Sequence, residues 1–132
     1  MSWRWVEKQA LLLLHDESLA EHGGASGLRD EGLLDEGLLE SALARPLNLV
    51  AYAAPDFTDL AAAYGFGIAQ NHPFVDGNKR AAFLAVGLFL HINGYRLKVE
   101  QAEATATVLA LAAGELEEPA FAAWIRERSV KR

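Results

Sequence analysis

Two long stretches rich in alanine and leucine flank only ten residues, Asn71–Arg80, which read Asn-His-Pro-Phe-Val-Asp-Gly-Asn-Lys-Arg. This arrangement constrains the fold more than any other feature. Both flanks have the apolar spacing of helices. Pro73 has no amide to continue the first helix and pushes the residue before it out of helical geometry. Gly77 permits the backbone conformation that a tight turn needs. Two helices must therefore meet at a short reversal, and the reactive side chains of the segment are held at that junction.

The rest of the chain supports an all-α reading. It has 132 residues, 52% of them hydrophobic, which is enough for one domain with one core. Alanine and leucine dominate over the β-branched residues, which favours helix over strand. The net charge of −6 argues against direct nucleic-acid binding, which needs a basic face to neutralise phosphates. Without cysteine there are no disulfides and no thiolate metal ligands. No apolar run reaches the roughly 18 residues of a membrane helix, and the start lacks a secretory pattern. The expectation is a cytoplasmic protein of about six helices.

Taken in order, helix one is expected from about Val6 to His22, with Gly23-Gly24 as its stop and Val6, Ala10, Leu13 and Leu14 as its apolar set. Trp3 and Trp5 read as core residues. His15 and His22 read as a surface residue and a C-terminal residue facing the helix dipole. Gly23–Gly27 reads as a flexible loop. Asp30-Glu31-Gly32-Leu33-Leu34 is then repeated at once as Asp35-Glu36-Gly37-Leu38-Leu39. The second copy is expected to lead into a helix that ends near Arg45 because of Pro46, with a connector from Leu47 to Pro55. Asp56 or Thr58 would cap helix three, which runs to about Asn71. Gly65 and Gly67 within it suggest close approach by another helix, or simply tolerated glycines that weaken it by roughly 1 kcal/mol each. Helix four, about Asn78 to Asn93, is so apolar that it should be the buried central helix. Tyr95–Val99 is a short extended piece, helix five spans about Glu100–Ala113, and Pro119 opens helix six, which turns Phe121, Trp124 and Ile125 inward. Ser129–Arg132 should fray.

The central segment carries the chemistry. The unpaired amides of Gly77-Asn78 and the helix dipole make an anion site. Lys79 and Arg80 are unfavourable in a first helical turn unless an anion is bound there. Asp76 is a hard oxygen ligand suited to magnesium beside phosphates. Histidine is the side chain that exchanges protons near neutral pH, so His72 suits removal of a hydroxyl proton. Each feature alone has an ordinary explanation, such as a solvated surface or a plain Asp-Gly turn. Together, a base, a metal ligand, an anion turn and two cations in one short segment outweigh it. The segment is not a Walker P-loop, which requires a different glycine spacing.

These residues, His72-Pro73-Phe74-Val75-Asp76-Gly77-Asn78-Lys79-Arg80, resemble the signature of the Fic/Doc superfamily, and Lys79 makes it similar to the death-on-curing (Doc) branch. Leu38–Pro46 and Leu88–Leu97 look typical of the same family, so the resemblance covers most of the chain. It implies an all-α Fic fold, ATP with magnesium, and transfer of part of the nucleotide to a protein hydroxyl. The larger Fic group, which mostly transfers AMP, has glycine at the place of Lys79 and a second arginine at the place of Phe83. The Doc branch shares both departures. It is a group of toxins that transfer the γ-phosphate to a threonine of elongation factor Tu and stop translation. Carried over, His72 is the general base, Asp76 the magnesium ligand, Gly77, Asn78, Lys79 and Arg80 the ATP phosphate cradle, and Arg80 also a catalytic charge. No inhibitory Ser/Thr-x-x-x-Glu-Gly/Asn pattern is present, so the resemblance implies inhibition in trans by a Phd-like antitoxin whose disordered tail folds in a groove.

Three other readings compete. An AMP transferase is opposed by Lys79 and Phe83. A silent binding module is opposed by the intact His72, Asp76 and Arg80. A ribonuclease toxin is opposed by the acidic balance and the absence of a basic aromatic stripe.

Overall fold

The computed structural model describes residues 2–24 and 33–132. Among them the order is α1 (Lys8–His22), α2 (Leu33–Tyr52), α3 (Phe57–Asn71), α4 (Asn78–Ile92), β1 (Tyr95–Leu97), α5 (Gln101–Ala112), α6 (Glu118–Arg128) and β2 (Ser129–Lys131). The fold is all-α, with one two-stranded ribbon as its only sheet among the described residues. No helix among them is long and apolar enough to cross a membrane.

Helices α3 and α4 form the centre, and α3 is the more buried of the two. Its residues from Leu60 to Ala63, with Tyr64, Ile68 and Ala69, are almost fully enclosed. Small side chains let neighbouring helices press close. A Cβ on Gly65 would lie 2.8 Å from Val86 of α4 and 2.9 Å from Phe121 of α6. A Cβ on Gly67 would meet the Arg45 side chain at 2.8 Å and the Ala42 backbone at 3.2 Å. Both glycines are therefore close-approach positions. Helix α3 starts on a capping box: Asp56 accepts from the amides of Thr58 and Asp59, and Asp59 accepts from the Asp56 amide.

Helix α4 buries Ala81, Ala82, Ala85, Val86, Phe89 and Leu90. Its other flank, with Phe83, Leu84 and Leu88, is only half-buried. Trp3 and Trp5 pack against the Phe89 ring at 6.3 and 6.2 Å, as core residues should. The Tyr64 hydroxyl accepts from the Val6 amide at 3.0 Å, tying the N-terminal segment to α3.

Three expectations need correction. Helix α2 does not end at Arg45; it passes through a buried Pro46 to Tyr52. An interior proline costs roughly 3 kcal/mol, but Leu39 and Ala42 before it and Leu49 after it all join the core. Packing on both sides of the proline offsets the lost hydrogen bond. Beside it, Arg45 pairs with Glu118 of α6 and lies 5.1 Å from the centre of the Phe66 ring. Second, Ser129–Arg132 does not fray. Strand β2 pairs antiparallel with β1, Arg96 opposite Val130. Arg132 then donates to the carbonyls of Gly94 and His91, at 3.1 and 2.7 Å. Third, the buried face of α1 is Leu11, His15 and Ser18, while Leu13 is 63% exposed. The run Leu11–Leu14 has no helical phase of its own, so its apolar character did not locate the face.

Of the duplicated segment, Asp30–Gly32 lie outside the described residues, as do Ala25–Gly27 of the glycine loop. The backbone is helical from Leu33, so the second copy lies wholly within α2.

Candidate active site

The reversal between α3 and α4 is built by its own residues. The last amide bond of α3 runs from His72 to the Ile68 carbonyl, and His72 itself is left-handed, with φ 48° and ψ 55°. It is the one non-glycine residue with positive φ among those described. That geometry costs about 1–2 kcal/mol for a side chain with a Cβ, and strain of this kind gathers at functional positions. The chain then crosses the junction on Pro73 and Phe74, both buried.

Asn78 closes the loop. Its Oδ1 accepts from the Phe74 amide at 2.8 Å, and its Nδ2 donates to the Phe74 carbonyl at 3.0 Å. Gly77 takes φ +75° and is the N-cap of α4, and no side chain caps the helix. The Gly77 amide donates to Asp76 Oδ1 at 2.8 Å, which fixes the carboxylate. Asp76, Lys79 and Arg80 are all exposed. None of the three makes an ion pair among the described residues. Two unneutralised cations thus stand at the positive end of a helix dipole, where like charge is disfavoured.

A cleft of about 650 Å³ opens from this turn, within the range of ligand pockets. Asp76, Gly77, Asn78, Lys79 and Arg80 line one end. Phe83 and Leu84 continue along the half-buried flank of α4. Leu97 of β1, with Val108 and Leu109 of α5, closes the apolar end. Five of the six sequence-predicted site residues therefore share one cavity. His72 does not line it and stands at the far end of the loop, half-buried.

The donor set fits a magnesium ion bound with a nucleotide. Asp76 offers one exposed carboxylate with a free oxygen, and no group of three metal-ligating side chains occurs among the described residues. Magnesium takes one or two carboxylates, with phosphate oxygens and waters completing its shell.

One residue of the site was misread from sequence. His15 of α1, expected at the surface, is 2% exposed and lies under the turn. Its ring centre is 4.0 Å from that of Phe74. Burial pushes its pKa below the usual histidine value, against the opposing pull of Asp16 and Asp76. The Asp76 carbonyl is near enough to favour the charged ring without meeting hydrogen-bond geometry, so both ring nitrogens lack a partner among the described residues. The available signal was the spacing Leu11, His15, Ser18, one helical face with a histidine in its middle. The apolar end of the cleft was also invisible, because α5 and β1 reach it only through the tertiary fold.

Comparison with known proteins shows the family. The model of the Fic/DOC family matches residues 5–90, which include the whole reversal. The chain is 46% identical over 80 residues to a protein of Mycolicibacterium smegmatis named Toxin Doc, covering 59% of this chain and 58% of that one. It is 32% identical over 95 residues to Protein kinase doc of Escherichia phage P1, covering 71% of each. The chain thus spans less than two thirds of the length of the mycobacterial relative.

Proposed function

The chain belongs to the Fic/DOC family, and we propose that it is the toxin of a toxin–antitoxin pair, a protein kinase that moves the γ-phosphate of ATP onto a threonine of elongation factor Tu. Such a target places its action in the cytoplasm and its effect on translation. The observation that carries the reading is the cleft end formed by Asp76, Gly77, Asn78, Lys79 and Arg80, with two exposed cations that make no ion pair among the described residues at the start of α4. A polyanion bound there removes the charge conflict. The name of the phage relative, Protein kinase doc, supports the kinase reading over other group transfers.

In this mechanism His72 takes the proton of the target hydroxyl as its oxygen bonds to the γ-phosphorus. The bond from that phosphorus to the bridging oxygen breaks, and ADP leaves. Asn78 holds the phosphates with its backbone amide, Gly77 lets them approach the backbone closely, and Lys79 and Arg80 balance the charge that spreads over the transferred group. A magnesium ion held by Asp76 and the nucleotide oxygens would add further neutralisation. Phosphoryl transfer depends mainly on position and charge, which these residues provide. Phe83, on the cleft wall, puts an apolar ring where AMP-transferring relatives would have a second arginine, and this favours transfer of the γ-phosphate.

The partner is a Phd-like antitoxin. The cleft runs without a break from the cations to Leu84, Leu97 and Leu109. A disordered tail that folds its apolar face onto this wall also covers Lys79 and Arg80, and so blocks the nucleotide.

The test uses the purified chain, elongation factor Tu, and ATP labelled at either the α or the γ phosphate. Transfer of γ label alone, lost in His72→Ala, is the expected result. Transfer of α label indicates AMP transfer instead. No transfer of either label while magnesium-ATP demonstrably binds overturns both.

A further inference from the structure

Three surfaces meet beneath the phosphate turn, and α1 supplies two of them. His15 is almost fully enclosed, and its ring lies flat enough on Phe74 to be tilted by only 33°. Its Cε1 stands 2.9 Å from where a Cβ on Gly77 would be. Leu19, one turn along the same helix, stands 3.6 Å from that point. Beyond the end of α1, a Cβ on Gly24 would lie 2.9 Å from Asp76 Oδ2. Nothing in the proposed chemistry employs His15, yet it packs on Phe74 and stands beside Gly77, the residue that follows Asp76.

We propose that His15 is a positioning residue for the phosphate turn: its ring is the floor that sets where Gly77, and with it the Asp76 carboxylate, can stand. The contact works by shape. The Cε1 edge of the ring stands against a left-handed Gly77, and the ring is held by Phe74, itself clasped by Asn78. Height at Gly77 therefore follows ring width at position 15. A six-membered ring is too wide for this contact, and an overfilled contact moves backbone. The role toward nucleotide rests on the proposed function, whereas the role toward the turn does not.

The experiment compares the full chain with His15→Phe by amide NMR, by thermal melting, and by magnesium-ATP titration. In the wild type, a proton contact between the His15 ring and the Gly77 α-carbon is expected; its absence overturns the proposal, whatever the variant does. In His15→Phe, the amide signals of Gly77 and Asn78 should shift while those of α6 stay in place. Magnesium-ATP affinity should fall about tenfold or more, since a displacement of about 1 Å in such a site can cost ~10²-fold in rate. A lowered melting temperature with unmoved Gly77 and Asn78 signals and unchanged nucleotide affinity would mean a merely structural ring and sinks the idea. If the wild type itself binds no magnesium-ATP, the nucleotide reading fails, and the amide signals alone decide the role of His15.

Discussion

Asn78 holds Phe74 by both ends of its peptide unit, accepting from the amide and donating to the carbonyl. A side-chain amide is the one group short enough and two-sided enough to do this. The clasp replaces the ladder that Pro73 interrupts, and it leaves the amides at the start of α4 free for a ligand. Asn78→Asp keeps the acceptor and removes the donor. Loss of one such bond should cost about 0.5–1.5 kcal/mol of stability, while magnesium-ATP affinity should fall more than tenfold, roughly 1.4 kcal/mol or more, because the turn then carries an added negative charge close to the phosphates. Urea denaturation and calorimetric titration separate the two effects.

His72 occupies a left-handed position that glycine would fill without strain. His72→Ala and His72→Gly should both abolish transfer. They should differ in stability, with the glycine variant ahead by about 1 kcal/mol, because only alanine keeps the cost of a Cβ at positive φ. Chemical denaturation of the two variants reads the difference, and equal midpoints would contradict the strain.

Tyr64 binds the Val6 amide from inside the core. Tyr64→Phe keeps the ring but leaves that amide without its partner, at a cost of about 1–3 kcal/mol. Burial also pushes the Tyr64 phenol above its usual pKa, only partly opposed by the Val6 bond. A raised pKa means that the folded state holds the proton longer than the unfolded one. This stability is complete below about pH 10 and is lost as pH rises through the raised value. Tyr64→Phe should therefore melt with less alkaline dependence than the wild type.

At Asp56 the sign is opposite. Partial burial alone would raise its pKa. Hydrogen bonds from Thr58 and the Asp59 amide, with the Arg126 guanidinium 3.2 Å away, outweigh that and hold it below the usual carboxylate value. The contribution is present above about pH 3.9 and is lost as pH falls through the lowered value. Asp56→Ala should cost about 1 kcal/mol at neutral pH as a lost N-cap, and the gap to the wild type should close in acid melts.

The residues that sequence located best are those whose effect is local. Pro73, Gly77 and Asp56 act on backbone within a few positions, so the ends of α3 and the start of α4 were legible to within a residue. Gly65 and Gly67 offered close approach as one of two readings, the other being plain tolerance, and the structure shows close approach. Pro46 was misjudged because the reason it survives, core contacts of α2 on both sides of it, depends on α3 packing against it. His15 was misjudged for a related cause: a histidine on a helix carries no mark of what will cover it. The C-terminal ribbon needed a partner strand some thirty residues away in sequence, which short-range patterns do not contain.

The loop is anchored by the two helices it joins and by the His15 ring of α1 packed on Phe74. Its first bond is the last turn of α3, its last is the first turn of α4, and Phe74 between them is part of the core. Fraying of either helix end dissolves it, so its amides should exchange with solvent only when the centre of the molecule opens. An intermediate with a working site and a loosened core has nothing to rest on. For this loop, its own order and the folding of the core are a single state.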